Sequence, residues 1–234
     1  MTIFSYHLLE TSFSKAISLL LFPPKAKQTA GLIHAECMNA MTLGSPIFSL
    51  ERILVKRIAF FAQWENEAAL EKFLAQDKKG KILNEGWHCR LLYARQWGNI
   101  SGFEIPTKAQ VETLDTDPVV AITLARMQLL QIPRFIRWGR PVEKLVRDHP
   151  SATLSNASIR FPRTVSTFSV WTTQKDMIGM VSGHNKVEHP TRHREAMKER
   201  NRKDFHIEFT TLRFKSIGEY GQWLNKTNYI PHLL

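Results

Sequence analysis

Cysteine is nearly missing from this chain. Cys37 and Cys89 are its only two, and they form no Cys-x-x-Cys pair. That excludes a disulfide-stapled secreted scaffold, and the expectation is two free, half-buried thiols in a reduced cytoplasm. Glycine is sparse, with 11 in 234 residues. No Gly-rich phosphate loop, Gly-x-Ser-x-Gly elbow or His-Glu-x-x-His helix occurs, so the nucleotide folds, serine hydrolases and zinc peptidases built on them are set aside. Long apolar runs are missing as well. The greasiest early stretch, Leu19-Leu20-Leu21-Phe22, stops at Pro23-Pro24, far short of the ~18 residues of a membrane span. No basic flank or small-residue cleavage site marks it as a signal peptide. Paired carboxylates at a catalytic spacing do not stand out either.

Acid is what the second half lacks. Residues 1–117 carry 13 basic and 12 acidic side chains, whereas residues 118–234 carry 19 and 9. Nearly all of the net charge of +11 therefore sits in one half. Such an asymmetry suits an anionic partner, whether nucleic acid, membrane headgroups or an acidic cofactor, and it also suits plain solubility. Hydrophobic residues at 43% are enough for a core.

What is present reads as one unit written twice. Ile58–Trp64 is a β-rich run ending in Trp, followed by helical spacing over Glu65–Leu74. Val165–Trp171 is a second such run, followed by helical spacing over Thr172–Val181. Each unit closes on a strand with an aromatic and an Arg, Cys89–Arg95 and Ile207–Phe214, so Arg95 and Arg213 are equivalent positions. Each unit also opens alike. Thr2–Leu8 and Leu32–Ala40 are strands around a helix over Phe13–Phe22. Val119–Ala125 and Thr153–Phe161 are strands around a helix over Phe135–Val146 that Pro141 is expected to interrupt.

The expected fold is α+β: tandem ferredoxin-like β-α-β-β-α-β repeats, packed as an α/β barrel or as face-to-face antiparallel sheets. Residues 1–114 form the first half and 119–234 the second, joined by Asp115-Thr-Asp-Pro118. The second half carries an inserted His-rich segment, Ser182–Lys203, and a terminal helix over Ser216–Asn225.

Two clusters carry candidate chemistry. In the insert, a helix opened by Pro190 places His193, Ala196 and Met197 on one face. His193 then reads as a core histidine bonded to a backbone carbonyl, or as an iron ligand with its other nitrogen so bonded. A third reading is a zinc ligand together with His184 and His189. The other cluster, Arg134-Phe-Ile-Arg137-Trp138-Gly-Arg140, interleaves Arg with aromatic rings. It suits nucleic acid, an anionic macrocycle or a solvated amphipathic helix.

The order of these features resembles the spheroidene monooxygenase family, within the dimeric α/β-barrel group of ferredoxin-like proteins. Four stretches carry the resemblance: Phe61–Ala68, Trp138-Gly-Arg140, Thr167-Phe-Ser-Val-Trp171 and His193-Arg-Glu-Ala-Met197, the last leading to Arg213-Phe214. It implies a haem b monooxygenase acting on a lipophilic, polyene-like substrate. By the resemblance His193 would be the iron ligand; charge, not the resemblance, offers Arg134, Arg137 or Arg140 to the propionates, with Trp138 and Met197 beside the cofactor. Dioxygen or peroxide, an electron donor and a homodimer are the partners this implies, and the cytoplasm or a membrane surface the location. The alternatives are a non-enzymatic ferredoxin-like module for an anionic ligand or nucleic acid, and a cofactor-free relative that keeps only the fold.

Overall fold

The computed structural model describes residues 1–45, 55–184 and 187–231. Eight strands form a closed antiparallel barrel: β1 (Ile3–Glu10), β2 (Leu32–Met41), β3 (Arg57–Trp64), β4 (Trp87–Asn99), β5 (Val119–Met127), β6 (Ala152–Arg160), β7 (Thr164–Trp171) and β8 (His206–Tyr220). Their order around the barrel is β1-β3-β2-β6-β7-β5-β8-β4. Strands β1–β4 are contiguous, as are β5–β8. Two seams close the circle, a short one between β2 and β6 and a long one between β4 and β8. Closure leaves no free sheet edge.

Among the described residues six α-helices cover the outside: α1 (Phe13–Leu21), α2 (Glu67–Gln76), α3 (Lys78–Asn84), α4 (Ile132–Arg147), α5 (Gln174–Ser182) and α6 (Arg192–Arg202). Their starts follow capping chemistry: Ser12, Asn66, Asp77 and Thr173 each accept a backbone N–H of the first turn. Gly183, at φ +77°, ends α5 in the left-handed conformation that glycine adopts without strain.

Alternation along each strand sends every second residue inward. Phe4, Tyr6, Leu8, Phe61, Leu91, Val120, Ile122, Leu124, Phe168, Leu212 and Phe214 share one buried core inside the barrel. Tyr6 of the first half stacks on Phe168 of the second, with centroids 3.9 Å apart. One barrel end holds Trp87, Trp223, Tyr229 and Ile230, where Glu219 accepts Trp87 Nε1–H and the backbone N–H groups of Tyr229 and Ile230.

Four sequence expectations are corrected. The terminal helix over Ser216–Asn225 does not form, because pairing with β4 carries β8 on to Tyr220. Ladder partners here outweigh local propensity. Pro141 does not split its helix: α4 runs unbroken past it. The insert helix begins at Arg192 behind Thr191, not at Pro190. Both cysteines are fully buried, Cys37 under the first-half helices and Cys89 in the barrel. Burial raises both thiols, Cys37 to about 12.

Candidate functional site

The layer between sheet and helices differs between the two halves. Outside the first half, Ile3, Leu9, Ile58, Phe60 and Trp64 merge with Leu19, Leu70, Phe73 and Leu83 of α1–α3 into one continuous buried cluster. Outside the second half the middle rows of the corresponding face are built mostly of small and hydroxyl residues. Register places Thr211, Thr123, Thr167 and Ala157 in one row across β8, β5, β7 and β6. Arg213, Ala121, Ser169 and Ser155 form the next. Thr123, Ser155, Thr167, Ser169 and Thr211 bring hydroxyl groups to these rows. All of these five but Ser169 keep partial solvent access.

Among the described residues, apolar contact under α4–α6 falls into three patches, one of them Met41, Leu43 and Ala157 against Val146 of α4. Val119, Leu145, Trp171, Met177 and Met180 make a second. Ala125, Met127 and Phe205 make the third, against which Phe135 and Trp138 pack.

A cavity of about 800 Å³ opens between α4 and residues 187–192, the segment leading into α6. That is within the ~300–1,000 Å³ range of small-molecule sites. Pro133, Ile136, Pro141, Leu145 and Val187 give it an apolar wall, and Arg137, Arg140, Lys144 and Arg192 a cationic one. Asp148 and Glu188 also line it, but Asp148 is held by Arg147. Among the described residues no carboxylate lies within ion-pair reach of Arg137 or Arg192. His189, on the same wall, has φ +54°, a conformation a non-glycine residue adopts at a cost.

The predicted site residues do not all meet here. Arg137 and Arg140 line the cavity, and Arg140 Nε–H also donates to Gly44 O at 3.2 Å. Arg134 turns away. It binds Glu199 at 2.8 Å, donates to the Glu199 and Lys203 carbonyls, and stacks on Phe205, bracing α4 against α6. Trp138 belongs to the Phe205 patch, and Met197 is half-buried on α6. His193 is half-buried and lies outside the cavity wall that its neighbour Arg192 joins. Among the described residues no group of three or more His, Cys, Asp or Glu side chains is placed to hold a metal, which removes the zinc set.

Two imidazoles near the cavity differ in tautomer. His149, in the wall, accepts the Ser151 backbone N–H at its Nδ1 (3.1 Å), so its neutral ring carries the proton on Nε2. His193 Nδ1–H donates to Val181 O at 3.0 Å, at the end of α5. Burial holds His193 below the ordinary histidine value, partly opposed by that bond, so the ring is neutral near pH 7. Its Nε2 therefore keeps a lone pair, the state in which histidine ligates metals. The same hydrogen bond also satisfies an end carbonyl of α5, the core role open to His193 from sequence.

Sequence reading missed the hydroxyl rows. Their signal is present as small residues at every second position, Ala121/Thr123/Ala125 and Thr167/Ser169. Which side of the sheet they face depends on barrel closure.

No protein-family profile and no curated protein matches the chain. Solved structures do match. An aldoxime dehydratase in complex with butyraldoxime superimposes with a TM-score of 0.54 at 7% identity, covering 92% of this chain and 79% of that one. Another aldoxime dehydratase structure gives 0.52 at 8% identity, covering 92% and 81%. A heme-degrading enzyme from Listeria monocytogenes matches at a TM-score of 0.30 and 9% identity, covering 89% and 98%. At these identities the likeness is one of fold.

Proposed function

We propose that the chain is a haem-dependent monooxygenase of a lipophilic substrate, its cofactor held by the second half. Two observations carry this reading: the hydroxyl-bearing rows of β5–β8 keep partial solvent access, and the cavity beside α4 is apolar on one side and cationic on the other. The donors present fit haem. Arg137 and Arg140 are guanidinium groups suited to paired bonds with propionates. Pro133, Ile136, Pro141, Leu145 and Val187 would cover an apolar macrocycle and keep water from it. His193, next to the cavity-lining Arg192, offers a neutral imidazole whose Nδ1 is engaged by Val181 O and whose Nε2 would be the atom offered to iron. Arg134 then serves by fixing α6, and with it His193. Haem bound here would supply the redox chemistry that activates dioxygen or peroxide, with an electron donor completing the cycle. Lipophilicity of the substrate follows from the apolar wall, and a homodimer is compatible with this reading.

Titration with hemin tests it. The expected result is a Soret band saturating at about one haem per chain, as one axial-ligand pocket requires. His193→Ala should remove or shift that band, and Arg137→Gln and Arg140→Gln should weaken binding. A band unchanged in His193→Ala but lost in His189→Ala would transfer the ligand to the cavity wall. Absence of saturable binding would sink the reading.

A second reading rests on Arg137 and Arg192, which line the cavity with no ion-pair partner among the described residues: a non-enzymatic site for an anionic ligand or nucleic acid. It predicts binding of polyanions that weakens steeply with salt and needs no haem.

A further inference from the structure

The two arginines that the internal repeat makes equivalent lie side by side. Arg95 on β4 and Arg213 on β8 are direct register partners across the long seam. Both guanidinium groups stack on Trp97, at 4.5 and 4.3 Å from its ring centroid. Among the described residues neither has a carboxylate within ion-pair reach. The nearest such pair along β8, Lys215 with Asp117, is closed on itself.

Three other arginines with little exposure are compensated by acids. Arg90 binds Glu67 and Glu71, Arg126 binds Glu208 and Glu36, and Arg134 binds Glu199. Among the described residues, stacking on the Trp97 ring is what offsets the mutual repulsion of Arg95 and Arg213. That repulsion shows in Arg213: burial, and then the charge of Arg95, lower its guanidinium to about 10. Arg95 and Trp97 are open to solvent, and Arg213 is half-buried beside the Thr211 row. None of the three lines the α4 cavity.

We propose that Arg95 and Arg213, braced by Trp97, form an oxyanion site that takes the carboxylate or phosphate group of a small-molecule ligand. Two planar forks with parallel N–H donors match two or three oxygens of one anion, and the anion supplies the charge that the fold omits. Trp97 holds both forks in place, so little side-chain entropy is lost on binding. The site is independent of the haem reading.

The test titrates the protein with inorganic phosphate and, separately, with butyrate, at constant ionic strength. Tryptophan fluorescence is followed as the difference between wild type and Trp97→Phe, and the thermal midpoint is recorded alongside. The expected result is a saturable response to at least one anion, weakened roughly tenfold or more in Arg95→Gln and in Arg213→Gln, one lost charge-assisted contact each. Preference for phosphate or for butyrate tells which group the ligand bears. Without added anion at low salt, Arg95→Gln should melt higher than wild type, because one of two uncompensated charges is gone. With phosphate the order should narrow or reverse, since only wild type gains from binding. No saturable response to either anion would overturn the proposal. So would undiminished binding in both Gln variants, loss in Arg137→Gln instead, or an Arg95→Gln midpoint lowered equally with and without anion.

Discussion

The two halves of the barrel use the same strand–helix grammar to opposite ends. Trp64 and Trp171 end equivalent strands, so Phe60 and Thr167 occupy equivalent outward positions. Phe60 fills the first layer, its ring 6.4 Å from Phe73 of α2. Thr167 leaves the second layer part-open. The first half thus spends its outer face on packing, and the second withholds large side chains where a ligand would lie. The charge asymmetry runs the same way: the unfilled half is the basic one.

The largest expected effect separates these layers directly. Phe60→Ala should cost about 3–5 kcal/mol in denaturant unfolding, as expected for a large buried ring. Thr167→Ala should cost under ~1 kcal/mol. The sharper form is Thr167→Phe, which copies the first half into the second. It should leave stability within about 1 kcal/mol of wild type while abolishing hemin binding, whereas overpacking a closed layer costs ~1–3 kcal/mol. A strongly destabilised Thr167→Phe would mean that the second layer is already full.

Acid should strain the first half next. His7 and His88 stack at 4.8 Å on its outer face, and burial lowers both, His88 to about 4. Because the folded values lie below the unfolded one, the unfolded chain takes up protons first. This contribution is complete above about pH 6.5 and declines as pH falls toward 4, by about 2–3 kcal/mol for His88. Midpoints measured across that window should fall, and His88→Gln should flatten the slope.

Hydrogen exchange gives a smaller, local readout. Arg134→Gln removes the tie between α4 and α6, so amides of α6 should exchange faster while those of α2 stay unchanged. The mildest probe is thiol chemistry. Native Cys37 and Cys89 should resist a disulfide reagent until the protein unfolds, since both are buried with raised thiols. Thr167→Cys should react in the folded protein, and a protected Cys there would close the gap inferred between sheet and helices.

Much of the fold was legible because barrel strands alternate sharply. Val120, Ile122 and Leu124 announce one face of β5, and the apolar spacing over Glu65–Leu74 and Thr172–Val181 announces α2 and α5. Helix α3 and the end of β8 were not legible. Lys78–Asn84 is too short for a periodic signal, and Gly218–Tyr220 becomes strand only through its partners on β4. Of the candidate site, Arg137 and Arg140 were visible as a cationic cluster on an amphipathic helix. The turning-away of Arg134 was not, because its partner Glu199 is 65 residues away.

By itself the sequence determined most of the strands and helices, the placing of charge and the like setting of Arg95 and Arg213, each on a strand beside an aromatic. Those are local or periodic properties, set by side-chain size and spacing along one chain. Only the tertiary structure decided that the strands close on each other, which face of β5 and β7 meets the helices, and that the two equivalent arginines become neighbours. These depend on contacts between residues about a hundred positions apart, whose free energy appears only once the circle of strands is complete.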